Sequence, residues 1–304
     1  TGLSRPRAPA WGRALLGRAT MGCTASTESH GVEQPARRHS ISRRYSLHEL
    51  LGQGAGGVVH RATDRGTGKQ FAVKMVPEGA KGRWGDIANE VAMMQKLQHP
   101  TLARLHAVVP SNTRTCLVLE LYPGGDMIHG MTNYWKDFGM IPMETTRNLS
   151  KQMWNAISYV HSQDCVHRDV KGDNFMMDTR RITHPDNKIY LSDFGTVCEC
   201  PPEQRLAQRC GTVSYWSPEL FQRNYSQKVD VWAVGVVMFG LVSGKFPFKG
   251  ETEVRSKDLR IPARCPADGA ELIGLALERR ERKRPEAKKL GGHRFLRGAA
   301  AHCD

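Results

Sequence analysis

The chain has 304 residues, 39% of them hydrophobic and 24% charged, with a formal net charge of +14. That is an ordinary balance for a soluble globular protein, long enough to bury a core in one or two domains, and the positive excess favours acidic partners such as nucleotide, anionic lipid or nucleic acid. The longest apolar run, Val229 to Gly244, falls short of the ~20 residues of a membrane span, which excludes a spanning helix there and leaves a buried one.

The eight cysteines, Cys23, Cys116, Cys165, Cys198, Cys200, Cys210, Cys265 and Cys303, form no C-x-x-C pair, so no zinc half-site is expected. Several sit in apolar runs and read as small core residues, which fits a reducing, intracellular compartment. No secretory signal is visible.

Residues 1–44 are expected to be a basic, disordered extension. Residues 1–20 carry no acid and are rich in Arg and Ala, like a transit peptide or like sequence upstream of the start. The second reading is preferred, because Met21-Gly22-Cys23-Thr24-Ala25-Ser26 fits the myristoylation pattern on Gly22 with Cys23 open to palmitoylation. A single acyl chain binds membrane only marginally, and Arg37, Arg38, Arg43 and Arg44 supply the basic patch that firm anchoring requires. Two copies of one pattern follow, Arg37-Arg38-His39-Ser40-Ile41 and Arg43-Arg44-Tyr45-Ser46-Leu47.

From Tyr45 the pattern turns β-rich, with a first strand to about Leu51 and a turn over 52–57. Gly52, Gly54 and Gly57 let backbone amides approach phosphate. The glycines lead into a strand, Val58 to Ala62, where a dinucleotide fold would place a helix. Lys74 lies in the apolar strand Phe71 to Met75 and needs a buried partner, for which Glu90 is the candidate, in the helical pattern Ile87 to Leu97. Leu105 and Cys116 to Leu121 read as two further strands, and Tyr122-Pro123-Gly124-Gly125-Asp126 as a break. Pro142 to Ser162 reads as a long buried helix leading to Val166-His167-Arg168-Asp169-Val170-Lys171-Gly172-Asp173-Asn174. Asp169, Lys171 and Asn174 are the groups a phosphoryl transfer needs: one to orient the hydroxyl, one to neutralise phosphate, one to hold a metal. Asp178 to Asn187 is polar and expected to be an exposed loop. Asp193-Phe194-Gly195, Cys210-Gly211-Thr212, Ser217-Pro218-Glu219, Asp230 and Arg284 complete the series.

In this order the motifs resemble the eukaryotic protein kinase family, from about Tyr45 to Leu296, and Lys171 marks the serine/threonine type. The resemblance implies an α+β, two-lobed fold, with a β-rich N-lobe at 45–121, a helical C-lobe at 122–297 and a tail at 298–304. It implies ATP and Mg²⁺ as cofactors and protein substrates. Lys74 grips phosphates and Glu90 holds Lys74; Glu120 and Tyr122 offer backbone to adenine, Val59 and Ala72 cover the ring, and Leu119 gates the pocket behind it. Asn174 and Asp193 hold the metal, Asp169 and Lys171 serve the transfer, and Thr212 bonds both. Asp126 and Asp173 are expected to read Arg before the acceptor, more weakly than in strictly arginine-directed members because Gly240 replaces a further acid. The repeats at Ser40 and Ser46 have the form of such substrates. Phosphate on Ser40 would add about two negative charges to the basic patch, an electrostatic membrane switch.

Several departures matter. Ser217 stands where the family usually has Ala. The chain passes quickly from Phe248 to Ile261, so a docking helix is in doubt. Gln208 occupies the usual phosphothreonine position, and no Ser or Thr lies between Thr196 and Thr212. Activity is therefore expected without phosphorylation of this loop.

A pseudokinase scaffold would have lost Lys74, Asp169, Asn174 or Asp193, and a small-molecule kinase would lack Ser217 to Glu219 and Arg284; all are present. The basic cluster Arg279 to Lys289 lacks interleaved aromatics and reads as a solvated helix and turn, so no specific nucleic acid is expected. The expected protein is a monomer, cytoplasmic or membrane-associated.

Overall fold

The computed structural model of the chain describes residues 41–54, 57–77, 83–110 and 113–297. Gly22, Cys23 and Ser40 lie outside the described residues.

Five strands form one antiparallel sheet: β1 (Tyr45–Gly54), β2 (Gly57–Asp64), β3 (Gln70–Pro77), β4 (Leu105–Pro110) and β5 (Arg114–Glu120), in the order β1-β2-β3-β5-β4. Side chains alternate along a strand, so each strand serves two faces. Phe71, Val73 and Met75 join Tyr45, Ala62, Cys116 and Val118 in a small core on one face. The intervening Ala72 and Lys74 therefore share the other face. Val59 stands opposite Lys74, and Leu119 opposite Ala72, on that same surface. β1 runs past Leu51 as far as Gly54, which pairs with Gly57, so strand pairing reaches into the expected turn over 52–57. Continued pairing satisfies backbone groups that a wide turn would leave to water. Helix α1 (Arg83–Lys96) follows β3.

The rest is mainly helical. A two-residue strand β6 (Gly125–Asp126) leads into α2 (Met127–Phe138). Asp126 caps it by accepting from the His129 amide at 2.8 Å, and Gly139, at φ 80°, ends it. Helix α3 (Met143–Ser162) delivers β7 (Cys165–Val166), which pairs with β10 (Cys198–Glu199). Strands β8 (Phe175–Met177) and β9 (Ile189–Leu191) extend β6 into a small sheet. Short α4 (Pro218–Phe221) precedes α5 (Lys228–Ser243), which is followed by α6 (Glu251–Ser256), α7 (Ala267–Ala276) and α8 (Ala287–Gly291). α5 is apolar all round, and every residue from Val229 to Val242 is buried, as expected of a helix at the centre of a core. Gly235 allows α7 its close approach, since a Cβ there would stand 2.8 Å from the Ala276 methyl. The expected two-lobed α+β arrangement is thus present, and Leu191 joins the halves through backbone bonds to Thr101 and Ala103 at 2.9 and 2.8 Å.

Two further expectations meet the structure differently. The loop 178–187 is not simply exposed: Ile182 is 3% and Asn187 1% accessible. Ile182 enters the large core, and the Asn187 side chain accepts from Thr179 Oγ1 at 2.8 Å, so only the rim is solvated. After Phe248 a helix does form, but α6 has only six residues.

Candidate active site

Val59, Ala72 and Leu119 share one face of the sheet with Lys74. Lys74 Nζ reaches both Glu90 oxygens at 2.7 and 2.8 Å, and Asp193 Oδ1 at 3.7 Å. Burial works against charge on Lys74, yet Glu90 and then Asp193 hold its ammonium above its ordinary value. Half of the Asp193 side chain is open to solvent; partial desolvation opposes its charge, and Lys74, Lys171 and His167 overcome that, keeping the carboxyl below the usual range. Asp193 adopts φ 63° and ψ 77°, a left-handed conformation uncommon outside glycine. The buried Phe194 ring behind it meets His167 edge-on at 5.8 Å.

The loop 167–174 is fixed from beneath by Asp230 on α5. Its carboxylate accepts from the amides of His167 (2.7 Å) and Arg168 (2.8 Å) and pairs with His161 Nε2 (3.0 Å). Burial raises the cost of this charge, but the His161 bond and the neighbouring histidines hold Asp230 below the ordinary carboxylate range. Above it, Thr212 Oγ1 donates to Asp169 Oδ1 at 2.8 Å, and Lys171 Nζ lies 2.8 Å from Asp169 Oδ2 and 3.0 Å from Thr212 Oγ1. Asn174 Nδ2 donates to the Asp169 carbonyl at 2.8 Å. Gly211, at φ +81°, is essential to this approach, because a Cβ there would meet the Arg168 carbonyl at 2.2 Å. Glu219 pairs with the fully buried Arg284, which also holds the carbonyls of Glu278 and Lys228.

Of the hairpin glycines, Gly52 pairs with Val59 and Gly54 with Gly57. Gly57 sits at φ +121°, where a Cβ would fall 2.3 Å from the Met75 carbonyl. The side chains of Glu120 and Tyr122 turn to structural partners. Glu120 bonds His106 and Lys69, and Tyr122 stacks on Tyr190 at 4.3 Å. Asp126 and Asp173 are half-buried, the first partly committed to its helix cap. Ser46 is half-buried within β1, opposite Thr63.

Sequence reasoning missed the tie between α1 and β10. Asn89 Nδ2 donates to the Val197 carbonyl at 2.8 Å, and Lys96 Nζ meets Glu199 Oε1 at 2.5 Å. It also missed the acceptors of Arg168, which donates to the Thr196 carbonyl at 2.6 Å and to Gln208 Oε1 at 3.1 Å. No local pattern signals either contact.

The protein kinase domain family matches residues 45–296. The chain belongs to that family. The kinase is 34% identical over 220 residues to serine/threonine-protein kinase PEPKR2 of Arabidopsis thaliana, covering 72% of this chain and 44% of the relative. It is 32% identical over 273 residues to calcium/calmodulin-dependent protein kinase type 1B of Rattus norvegicus, covering 86% of this chain and 77% of the relative. With SNF-related serine/threonine-protein kinase of Rattus norvegicus the identity is 30% over 268 residues, 85% of this chain but 35% of the relative. The kinase thus spans less than half the length of two of these relatives. Its domain is of the serine/threonine type. No helix among its described residues is long and apolar enough to cross a membrane.

Proposed function

We propose that this kinase transfers the γ-phosphoryl group of MgATP to serine or threonine hydroxyls of protein substrates, with a moderate preference for Arg before the acceptor. The observation that carries the reading is the convergence of two groups, Lys74 with Glu90 and Asp193, and Asp169 bonded to Lys171 and Thr212, with Asp193 near enough to feel both lysines. In this reading Lys74, kept charged by Glu90, binds the α- and β-phosphates. The glycine hairpin covers the triphosphate with backbone amides, and Val59, Ala72 and the backbone near Glu120 and Tyr122 receive adenine.

The donors available suit a hard cation. Asn174 uses its amide nitrogen inside the loop, leaving its oxygen free to act as a ligand, and the Asp193 carboxylate is 50% exposed. No cluster of three or more acidic, histidine or cysteine ligands occurs among the described residues. Magnesium bound through one or two protein oxygens and the phosphates needs no such cage. Mg²⁺ held by Asn174 and Asp193 would neutralise charge on the phosphates. Asp169 accepts the hydrogen bond of the incoming hydroxyl and orients it, while Lys171 stabilises charge on the group in transit. Little covalent work is left to the protein, so positioning and electrostatics supply most of the rate.

Asp126 and Asp173 are the groups that would meet an Arg side chain, and the half-commitment of Asp126 to its helix cap fits a moderate preference. Acylation of Gly22 and Cys23, with the arginines up to Arg44, would hold the kinase at a membrane, where Ser40 would be the accessible acceptor of the two repeats. A peptide library with labelled ATP and Mg²⁺ tests the catalytic reading. Label is expected on Ser and Thr, enriched where Arg precedes them. Absence of label, or equal labelling by an Asp193→Asn variant, would overturn it.

A further inference from the structure

We propose that segment 205–212 is held in its working position by a phosphate-free clamp, in which Arg205, Gln208 and Glu281 are positioning residues. The inference rests on the kinase reading and names what fixes its substrate platform. Residues 197–211 contain no serine, threonine or tyrosine, so no hydroxyl in this stretch can carry a phosphate. The Arg168 guanidinium nevertheless has defined acceptors: the Thr196 carbonyl and the neutral side-chain oxygen of Gln208. No carboxylate pairs with Arg168 among the described residues.

The segment is then fastened at successive positions. The Gln208 carbonyl accepts from the hydroxyl of fully buried Tyr225 at 2.5 Å. Leu206 and Tyr225 exchange both backbone bonds, at 2.8 and 3.0 Å, as an antiparallel bridge. Arg209 Nη2 donates to the Phe221 carbonyl at 2.8 Å. The outer end is tied by Arg205, whose two terminal nitrogens meet the two Glu281 oxygens at 2.9 and 2.7 Å. Such a two-pronged pair fixes direction as well as distance. Glu281 is itself oriented by the amide and hydroxyl of Ser226, at 3.0 and 2.5 Å, and its carboxylate is only 14% exposed. Downstream, Gly211 packs against the Arg168 carbonyl and Thr212 bonds Asp169. A shift anywhere along 205–209 therefore reaches the catalytic loop within a few residues. Neutral and ionic side chains take the place of a covalent switch.

The test uses the full chain, treated with a broad phosphatase, assayed on a phosphorylatable peptide with saturating and limiting ATP. The wild-type kcat is expected to change by less than twofold on phosphatase treatment. Gln208→Leu and Arg205→Ala are expected to lower kcat roughly tenfold while KM for ATP moves less than threefold, since a platform defect acts on the transfer rather than on nucleotide binding. Gln208→Glu, which gives Arg168 a carboxylate, is expected to recover the loss. A role confined to folding would instead lower the melting temperature of all three variants without separating Glu from Leu at 208. Abolition of wild-type activity by phosphatase, or kcat within twofold of wild type in both Gln208→Leu and Arg205→Ala, would overturn the clamp and leave the kinase reading standing. A wild-type chain that labels no peptide before treatment would overturn both.

Discussion

Replacing Glu219 by Ala leaves the Arg284 guanidinium inside the protein without its carboxylate. Arg284 is 0% exposed and lies 5.1 Å over the Trp232 ring. Removing one partner of a buried ion pair costs about 3–5 kcal/mol, because the remaining charge stays desolvated. Here Arg284 keeps two neutral acceptors, the carbonyls of Glu278 at 3.0 Å and Lys228 at 2.9 Å. The cost should therefore sit at the lower end, about 3 kcal/mol. For a domain of this size each kcal/mol lowers the melting temperature by about 2–4 °C, so Glu219→Ala should melt roughly 6–12 °C below wild type. Calorimetry on the full chain measures this, and a mutant cycle with Arg284→Met isolates the pair. The double variant Glu219→Ala, Arg284→Met removes both charges and should cost less than the two single changes together. A drop below about 3 °C for Glu219→Ala, which corresponds to about 1 kcal/mol, or strict additivity in the cycle, would refute the reasoning.

Gly211→Ala should lower kcat at least roughly tenfold, because it adds a left-handed penalty of about 1 kcal/mol to a contact of 2.2 Å with the Arg168 carbonyl; steady-state kinetics with an unchanged KM for ATP checks it. Lys74→Met should raise KM for ATP and, by removing the cation that faces Asp193, reduce kcat by about two orders of magnitude; equal KM values would count against the role. Asp230→Asn should destabilise the chain at neutral pH. The native carboxyl of Asp230 titrates below its ordinary value, so its stabilisation is complete above about pH 4 and fades as pH falls through the native value. The gap between wild type and variant in urea melts should thus narrow in acid, and a gap constant down to pH 2 would contradict it. Asn89→Ala should cost about 1 kcal/mol by removing the bond to the Val197 carbonyl, read from the urea midpoint at unchanged slope.

The sequence was most informative where chemistry restricts residue type. Lys74 in an apolar strand demanded an acid, and Glu90 meets it. The central helix was legible for the same reason, since an unbroken apolar stretch permits few environments, whereas the fold class followed from the order of the motifs and the family they resemble. The loop 178–187 was misread because Ile182 is a single apolar residue among polar ones and carries no period. The clamp on Arg168 was half legible, since the missing hydroxyl at 208 shows in the sequence but its replacement does not. Arg205 and Glu281 are 76 positions apart, and both look like ordinary surface charges until the chain is folded. The Glu120 side chain is similar, being held by Lys69 in the loop before β3 and by His106 on β4.

Helix α5 has a bearing on how the polypeptide leaves the ribosome. Beyond Phe248, which stacks on Trp232, much of its cover from the C-terminal side is α7, and that helix ends about thirty residues later. At roughly 5–20 residues per second, the nascent chain carries a sixteen-residue adhesive stretch for roughly two to six seconds before its cover is made. A stall in that interval would expose the part of the molecule with most to lose from water, and would make this kinase a client for chaperones that recognise bare hydrocarbon.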